Sequence, residues 1–181
     1  KWCKKNVSGA YSNNDDVTNG TDILIKNNLT DTGVEEMNIN TTKFGEINID
    51  ENLVFDFVEP IIGYDNLKKY VLVEHSEESA FKWLQSVEDP ALAFPVTSPA
   101  FFDIEYQFEI PTEKAEKISL NSVESLISLN IVTIPASNPR KATINLLAPI
   151  IINAANKQGM QIILSNSNYP VKYSLFKEET V

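Results

Sequence analysis

The chain has 181 residues, of which 43% are hydrophobic and 22% charged, and its formal net charge is −10. That apolar content suits one compact domain with a real core and is too high for a wholly disordered chain. The acidic balance disfavours direct RNA or DNA binding, which draws its affinity from Lys and Arg displacing counterions, and it favours a basic protein partner instead.

Cys3 is the only cysteine, which excludes an intrachain disulfide and a thiolate metal site and fits a reducing compartment. No run approaches the ~20 apolar residues of a membrane-spanning helix. The opening KWCKKNVSGA is basic with no apolar run behind it, which argues against a secretory signal.

In chain order, residues 1–36 read as a disordered or non-homologous extension. Asn13-Asn14-Asp15-Asp16, Asn19-Gly20 and Asn27-Asn28 are turn chemistry, and Ile23-Leu24-Ile25 is the one apolar run. From Met37, which could be the start of the domain proper, short β patterns dominate. Ile39, Thr41 and Lys43 alternate with polar residues before Gly45 turns the chain into Ile47-Asn48-Ile49. Leu53–Phe57 and Tyr70–Glu74 give two further strands, and a helical turn is expected at 65–69. Residues 81–96, FKWLQSVEDPALAFPV, read as two strands joined at Glu88-Asp89-Pro90. Thr112–Ile118 is the one good helix, with Thr112 as N-cap behind Pro111. Ser125–Ile134 and Ala142–Leu147 are strands, Ile150-Ile151-Ile152 extends the latter, and Gln161–Leu164 returns against it across a turn at 153–159. Prolines 95, 99, 135 and 149 should mark strand ends, bulges or edges. About ten short strands with one or two short helices predict a mainly β fold, a small antiparallel β-barrel-like domain over 37–177 with a tail at 178–181.

Catalytic chemistry is hard to assemble from this text. His75 is the sole histidine and sits in a polar loop, where a solvated role is expected and a triad or zinc site is not. Asp15-Asp16-Val17-Thr18-Asn19-Gly20 fails as a calcium loop, with Val17 and Lys26 where oxygen ligands belong. Scattered single glycines make no phosphate loop. Glu77-Glu78 and Glu88-Asp89 are expected to face water in turns. The expectation is therefore no catalytic residues, no cofactor and no metal. For partner binding, Phe81, Trp83 and Phe94 read as core more readily than as interface anchors. Phe102 and Tyr106 beside Asp103 and Glu105 compose an apolar centre with an acidic rim, the anatomy of a protein interface. The same alternation would equally describe one more half-buried strand, and both readings stay open. An edge strand near Pro149 could also accept a partner strand.

Several strings, taken in order, resemble the FliW family of flagellar assembly factors. They are Thr42-Lys43-Phe44-Gly45-Glu46-Ile47, then Trp83-Leu84-Gln85-Ser86-Val87 with Asp89-Pro90 and Ala93-Phe94-Pro95-Val96, then Ile131-Val132-Thr133-Ile134-Pro135. Thr143-Ile144-Asn145-Leu146-Leu147-Ala148-Pro149 and Ile150-Ile151-Ile152-Asn153 follow, with Gly159 and Tyr169-Pro170 in place. The chain departs from the family pattern at Phe57-Val58-Glu59-Pro60-Ile61-Ile62-Gly63-Tyr64-Asp65 and at Phe101-Phe102-Asp103-Ile104-Glu105-Tyr106-Gln107-Phe108-Glu109-Ile110, so no contact is carried over through those loops. The resemblance implies a small cytoplasmic β-barrel-like protein that is not an enzyme. It implies a partner switch that binds newly made flagellin or the RNA-binding translational regulator CsrA. CsrA would be antagonised allosterically, away from its RNA surface. No direct nucleic-acid or membrane contact is expected, and the free protein is expected to be a monomer. The alternative from another class is a β-barrel carrier or enzyme holding a small apolar molecule, with Trp83 and Phe94 as pocket walls. A secreted adhesin-like domain is a weaker third.

Overall fold

The structure, a computed structural model, describes residues 3–6, 35–74 and 79–176. His75, the Glu77-Glu78 pair and the Asp15–Gly20 string lie outside the described residues. Strand β1 (Cys3–Asn6) falls within the extension. It is followed by β2 (Glu36–Thr41), β3 (Gly45–Asp50), β4 (Phe55–Phe57), β5 (Lys69–Val73), β6 (Lys82–Ser86) and β7 (Ala93–Thr97). Then come β8 (Gln107–Ile110), helix α1 (Thr112–Lys117), β9 (Leu126–Thr133), β10 (Thr143–Ile144), β11 (Ile150–Asn153), β12 (Gln158–Gln161) and β13 (Tyr173–Ser174), with four short 3₁₀ turns between them.

Seven strands close into a barrel in the order β11-β12-β4-β5-β6-β7-β9, sealed by the pairing of β9 with β11. Closure removes the open edges that a sheet would otherwise present. The mainly β, barrel-like expectation holds. The ring is not wholly antiparallel, however: β12 runs parallel to β4, Gln158 opposite Asp56 and Gly159 opposite Phe57.

Alternation along each strand sorts side chains between the inside and two covered outer faces. Phe57, Tyr70, Leu84, Val96, Ile150 and Ile152 fill the interior. On one outer face the β2–β3 hairpin lays Ile39, Ile47 and Ile49 over Val71 and Val73 of β5, with Trp83 and Phe44 at the border. On the other, Ile110, Ile118, Ile144 and Ile162 pack over Ile151 and Met160. The unbroken Ile150-Ile151-Ile152 run is thereby explained: its strand is buried on both sides, which erases the usual polar alternation.

Several boundaries differ from the sequence expectation. The run from Ala142 stops after Ile144, because the Asn145 side chain accepts from the N–H groups of Leu147 and Ala148 (both 3.1 Å) and bends the chain. β11 is accordingly a separate strand. The returning strand β12 starts at Gln158, earlier than expected, and Ile162 and Leu164 instead donate to Pro149 and Leu147 carbonyls. Residues 65–66 form a turn without a helix. Helix α1 is capped at Pro111, not Thr112, with the Lys114 and Ala115 N–H groups on the Pro111 carbonyl (2.9 and 3.0 Å). Pro99 opens a 3₁₀ turn, and Pro135 and Pro149 lie just outside strands. Pro95 sits within β7 opposite Trp83, one residue before pairing with β9 begins at Val96.

Candidate partner-binding surface

The barrel interior leaves no room for a guest near its parallel seam. A Cβ added at Gly159 would lie 2.9 Å from Phe57 Cε1 and 3.0 Å from Ile152 Cγ1. Among the described residues, no group of three or more His, Cys, Asp or Glu side chains could hold a metal ion. None of their helices is long and apolar enough to cross a membrane. The surface is therefore where the candidate site has to be sought.

The acidic-aromatic stretch begins with a 3₁₀ turn at Pro99–Phe102 that ends on Asp103 in the left-handed region (φ 53°). The short polar side chain of Asp tolerates that conformation. Beyond it the chain alternates: Ile104 and Phe108 are half-buried, Tyr106 and Ile110 are buried, while Asp103, Glu105 and Gln107 are exposed. Phe102 lies between Phe81, tilted against it (5.4 Å between centroids), and Phe176, which meets it edge-on (5.9 Å). Tyr106 points into the core, where its hydroxyl donates to the Leu146 carbonyl at 2.6 Å. Burial pushes its phenol well above the usual tyrosine range, against a weaker opposing pull from Asn130. Of the four interface candidates, then, Asp103 and Glu105 are presented to solvent, Phe102 partly so, and Tyr106 supports the stretch from beneath.

Phe102 and Asp103 form one wall of an open groove of about 1370 Å³. Arg140 and Lys141 contribute to it from a 3₁₀ turn, and Tyr173 and Phe176 from the C-terminal edge. Tyr173 and Phe176 are both about two-fifths exposed. Sequence reasoning missed these four residues. The aromatic residues at the end of the domain were the available signal, but only the fold brings them beside Phe102.

The stretch 81–96 forms the β6–β7 hairpin, and its acids do structural work. Glu88 accepts from the backbone N–H groups of Lys68 (2.6 Å) and Lys69 (2.8 Å). Ser86 Oγ accepts from the Glu88 and Asp89 N–H groups, and Asp89 Oδ1 from that of Ala91. Buried Gln85 donates to the carbonyls of Ser86 and Leu92. Thr42 N–H reaches the Pro90 carbonyl at 2.9 Å, joining this turn to the tip of the β2–β3 hairpin. Glu88 and Asp89 thus bond to backbone and are not simply solvated. Phe94 is buried with Tyr70 and Leu84. Trp83 is half-buried, its ring covered by Lys43 Nζ at 3.8 Å and met edge-on by Phe44. Burial and the nearby Glu88 charge push the phenol of interior Tyr70 up to about 12.

At the divergent loop after β4, Glu59 accepts from Lys114 Nζ (2.7 Å) and Lys117 Nζ (2.5 Å) of α1. The hydrogen bond from Lys114, then that from Lys117, holds its carboxyl below the usual glutamate value.

The family model described as "FliW protein" matches residues 38–175, which takes in every strand of the barrel. The chain belongs to the FliW family. It is 40% identical over 138 residues to the flagellar assembly factor FliW of Thermotoga neapolitana, covering 76% of this chain and 93% of that one. Against the flagellar assembly factor FliW of Leptospira interrogans serogroup Icterohaemorrhagiae it is 37% identical over 143 residues, 79% and 95% of the two chains. A crystal structure of the flagellar assembly factor FliW superposes with a TM-score of 0.72 at 33% identity, covering 80% of this chain and all of that one. The FliW match begins at Asn38, so β1 lies outside the region shared with the family.

Proposed function

We propose that this flagellar assembly factor acts as a non-enzymatic partner switch, binding flagellin or, once flagellin is exported, a CsrA-type RNA-binding translational repressor. In the second state it relieves repression allosterically, from a surface away from the bound RNA. The observation that carries this reading is the family match across the whole barrel.

The charge supports it. A net charge of −10 draws a basic RNA-binding protein while repelling the RNA itself. Asp103 and Glu105 beside the half-buried Phe102 offer such a partner an acidic rim around an apolar centre. The protein acts in the cytoplasm, as a monomer when free, without direct contact to nucleic acid or membrane. An apolar carrier is not favoured, because the interior that would hold its cargo is packed with Phe57, Tyr70, Leu84 and their neighbours.

Calorimetric titration against purified flagellin and purified CsrA, at two salt concentrations, tests the reading. Saturable one-to-one complexes with both proteins are expected, CsrA binding weakening as salt rises. No complex with either protein would overturn it.

A further inference from the structure

Strand β8 has a peculiar position. Among the described residues it belongs to no part of the barrel sheet, and its only strand partner is β1. One of its edges is tied to the domain through Tyr169, whose hydroxyl accepts from the Gln107 N–H (3.0 Å) and donates to the Gln107 carbonyl (2.8 Å). Backbone groups alternate in direction along a strand. The N–H and C=O groups of Phe108 and Ile110 therefore face the opposite edge, where Lys5 and Cys3 lie in register with them. A four-residue segment from outside the family-matched region has completed an edge that the matched region leaves open.

We propose that the outer edge of β8 is a strand-accepting surface for an extended, lysine-bearing segment of a partner protein, and that Cys3–Asn6 occupies it in cis. Main-chain bonds to Phe108 and Ile110 supply the attachment, as in other cases of strand addition. Selectivity comes from charge. Asp103, Glu105 and Glu109 recur along the stretch leading into and through β8, while the segment that occupies the edge reads CKKN, with lysines at 4 and 5. The register sets Lys4 opposite Glu109. A tethered occupant works at about millimolar effective concentration, so an arm whose own dissociation constant is about 0.1 mM weakens any competitor about ten-fold without preventing its binding. This inference does not depend on which proteins the switch recognises.

The full chain carrying Cys3→Pro and Lys5→Pro tests it, since proline at those positions removes the two arm N–H donors that face β8. By hydrogen exchange, the Phe108 and Ile110 amides should exchange about ten-fold faster in that variant, with Leu84 and Ile151 of the barrel unchanged. Equal rates at Phe108 and Ile110 would overturn the cis pairing. The probe is a labelled synthetic peptide of residues 1–8 with Cys3→Ser. It should bind the double variant about ten-fold more tightly than the unaltered chain, and should lose that binding when Lys4→Glu and Lys5→Glu are introduced in the peptide. Failure to bind the double variant would overturn the strand-accepting edge, and indifference to the glutamates would overturn the preference for lysine. Sedimentation should find the unaltered chain monomeric; a dimer abolished by the two prolines would mean that the arm is exchanged between copies, which also overturns the cis arrangement.

Discussion

Asn153 closes the apolar run of β11, yet its amide turns away to a distant element. Its Nδ2 donates to the carbonyls of Ile118 (2.9 Å) and Ser119 (3.0 Å), at the end of α1, while its Oδ1 accepts from Ala155 N–H (3.0 Å). These bonds satisfy carbonyls that a helix end leaves without partners. Asn153→Ala should cost about 1–3 kcal/mol, read as a lower urea midpoint with unchanged slope. Asn153→Asp should fail to restore it, because a carboxylate cannot donate. Gly159 shows the opposite economy. Its lack of a Cβ lets the Phe57 ring lie against the β12 backbone, so Gly159→Ala should overpack the seam and cost about 1–3 kcal/mol in the same assay. Both residues were visible in the sequence as members of ordered strings. Their roles were not, because the partners that give them, Ile118 and Ser119 for Asn153 and Phe57 for Gly159, lie 34 or more positions upstream.

At the scale of elements, strands were legible wherever one face is exposed and alternation survives, as in β2 and β3 with their patterns of exposed and buried residues. Legibility failed where polar side chains capture backbone groups: Asn145 cuts β10 to two residues, which propensity along the chain does not show. Helix α1 has only six residues and would be marginal alone. It is held by Asn153 at its end and by Glu59 on its flank. Because the folded pKa of Glu59 lies below its ordinary 4.5, the pair contributes fully above that value. The contribution is lost as pH falls through the lower folded value. With Glu59 and Lys114 about one-third exposed and Lys117 more so, Glu59→Gln should cost only about 0.2–1 kcal/mol at pH 7. Urea unfolding at pH 7 and pH 3 should show that difference at the first pH and little at the second.

Across the whole molecule, the chain carries a net charge of −10 and the barrel interior is packed with Phe57, Tyr70 and Leu84, so the proposed partner contacts belong on the outer surface. Asp103 and Glu105 are exposed there, on a stretch whose even-numbered residues anchor it to the core. The double variant Asp103→Lys with Glu105→Lys should fold normally, with the melting temperature nearly unchanged, since neither side chain is buried. Its association with the basic CsrA-type partner should slow about ten-fold at low salt in stopped-flow mixing, the difference shrinking as the ionic strength rises. An unchanged rate would remove this stretch from the interface.

The sequence by itself determined the β class and, through the ordered strings from Thr42 to Pro170, the family. These rest on local periodicity, composition and order, all of which are properties of the chain read in one dimension. Only the tertiary structure decided that β4 and β12 close the ring in parallel, that Glu88 caps the backbone at Lys68 and Lys69, that Tyr106 is buried while Asp103 and Glu105 are not, and that β8 lends its outer edge to Cys3–Asn6. Each depends on which distant segments meet. Alternation says that a side chain has an inside and an outside, but the covering element, here a hairpin on one face and a helix with β8 on the other, decides which side is water.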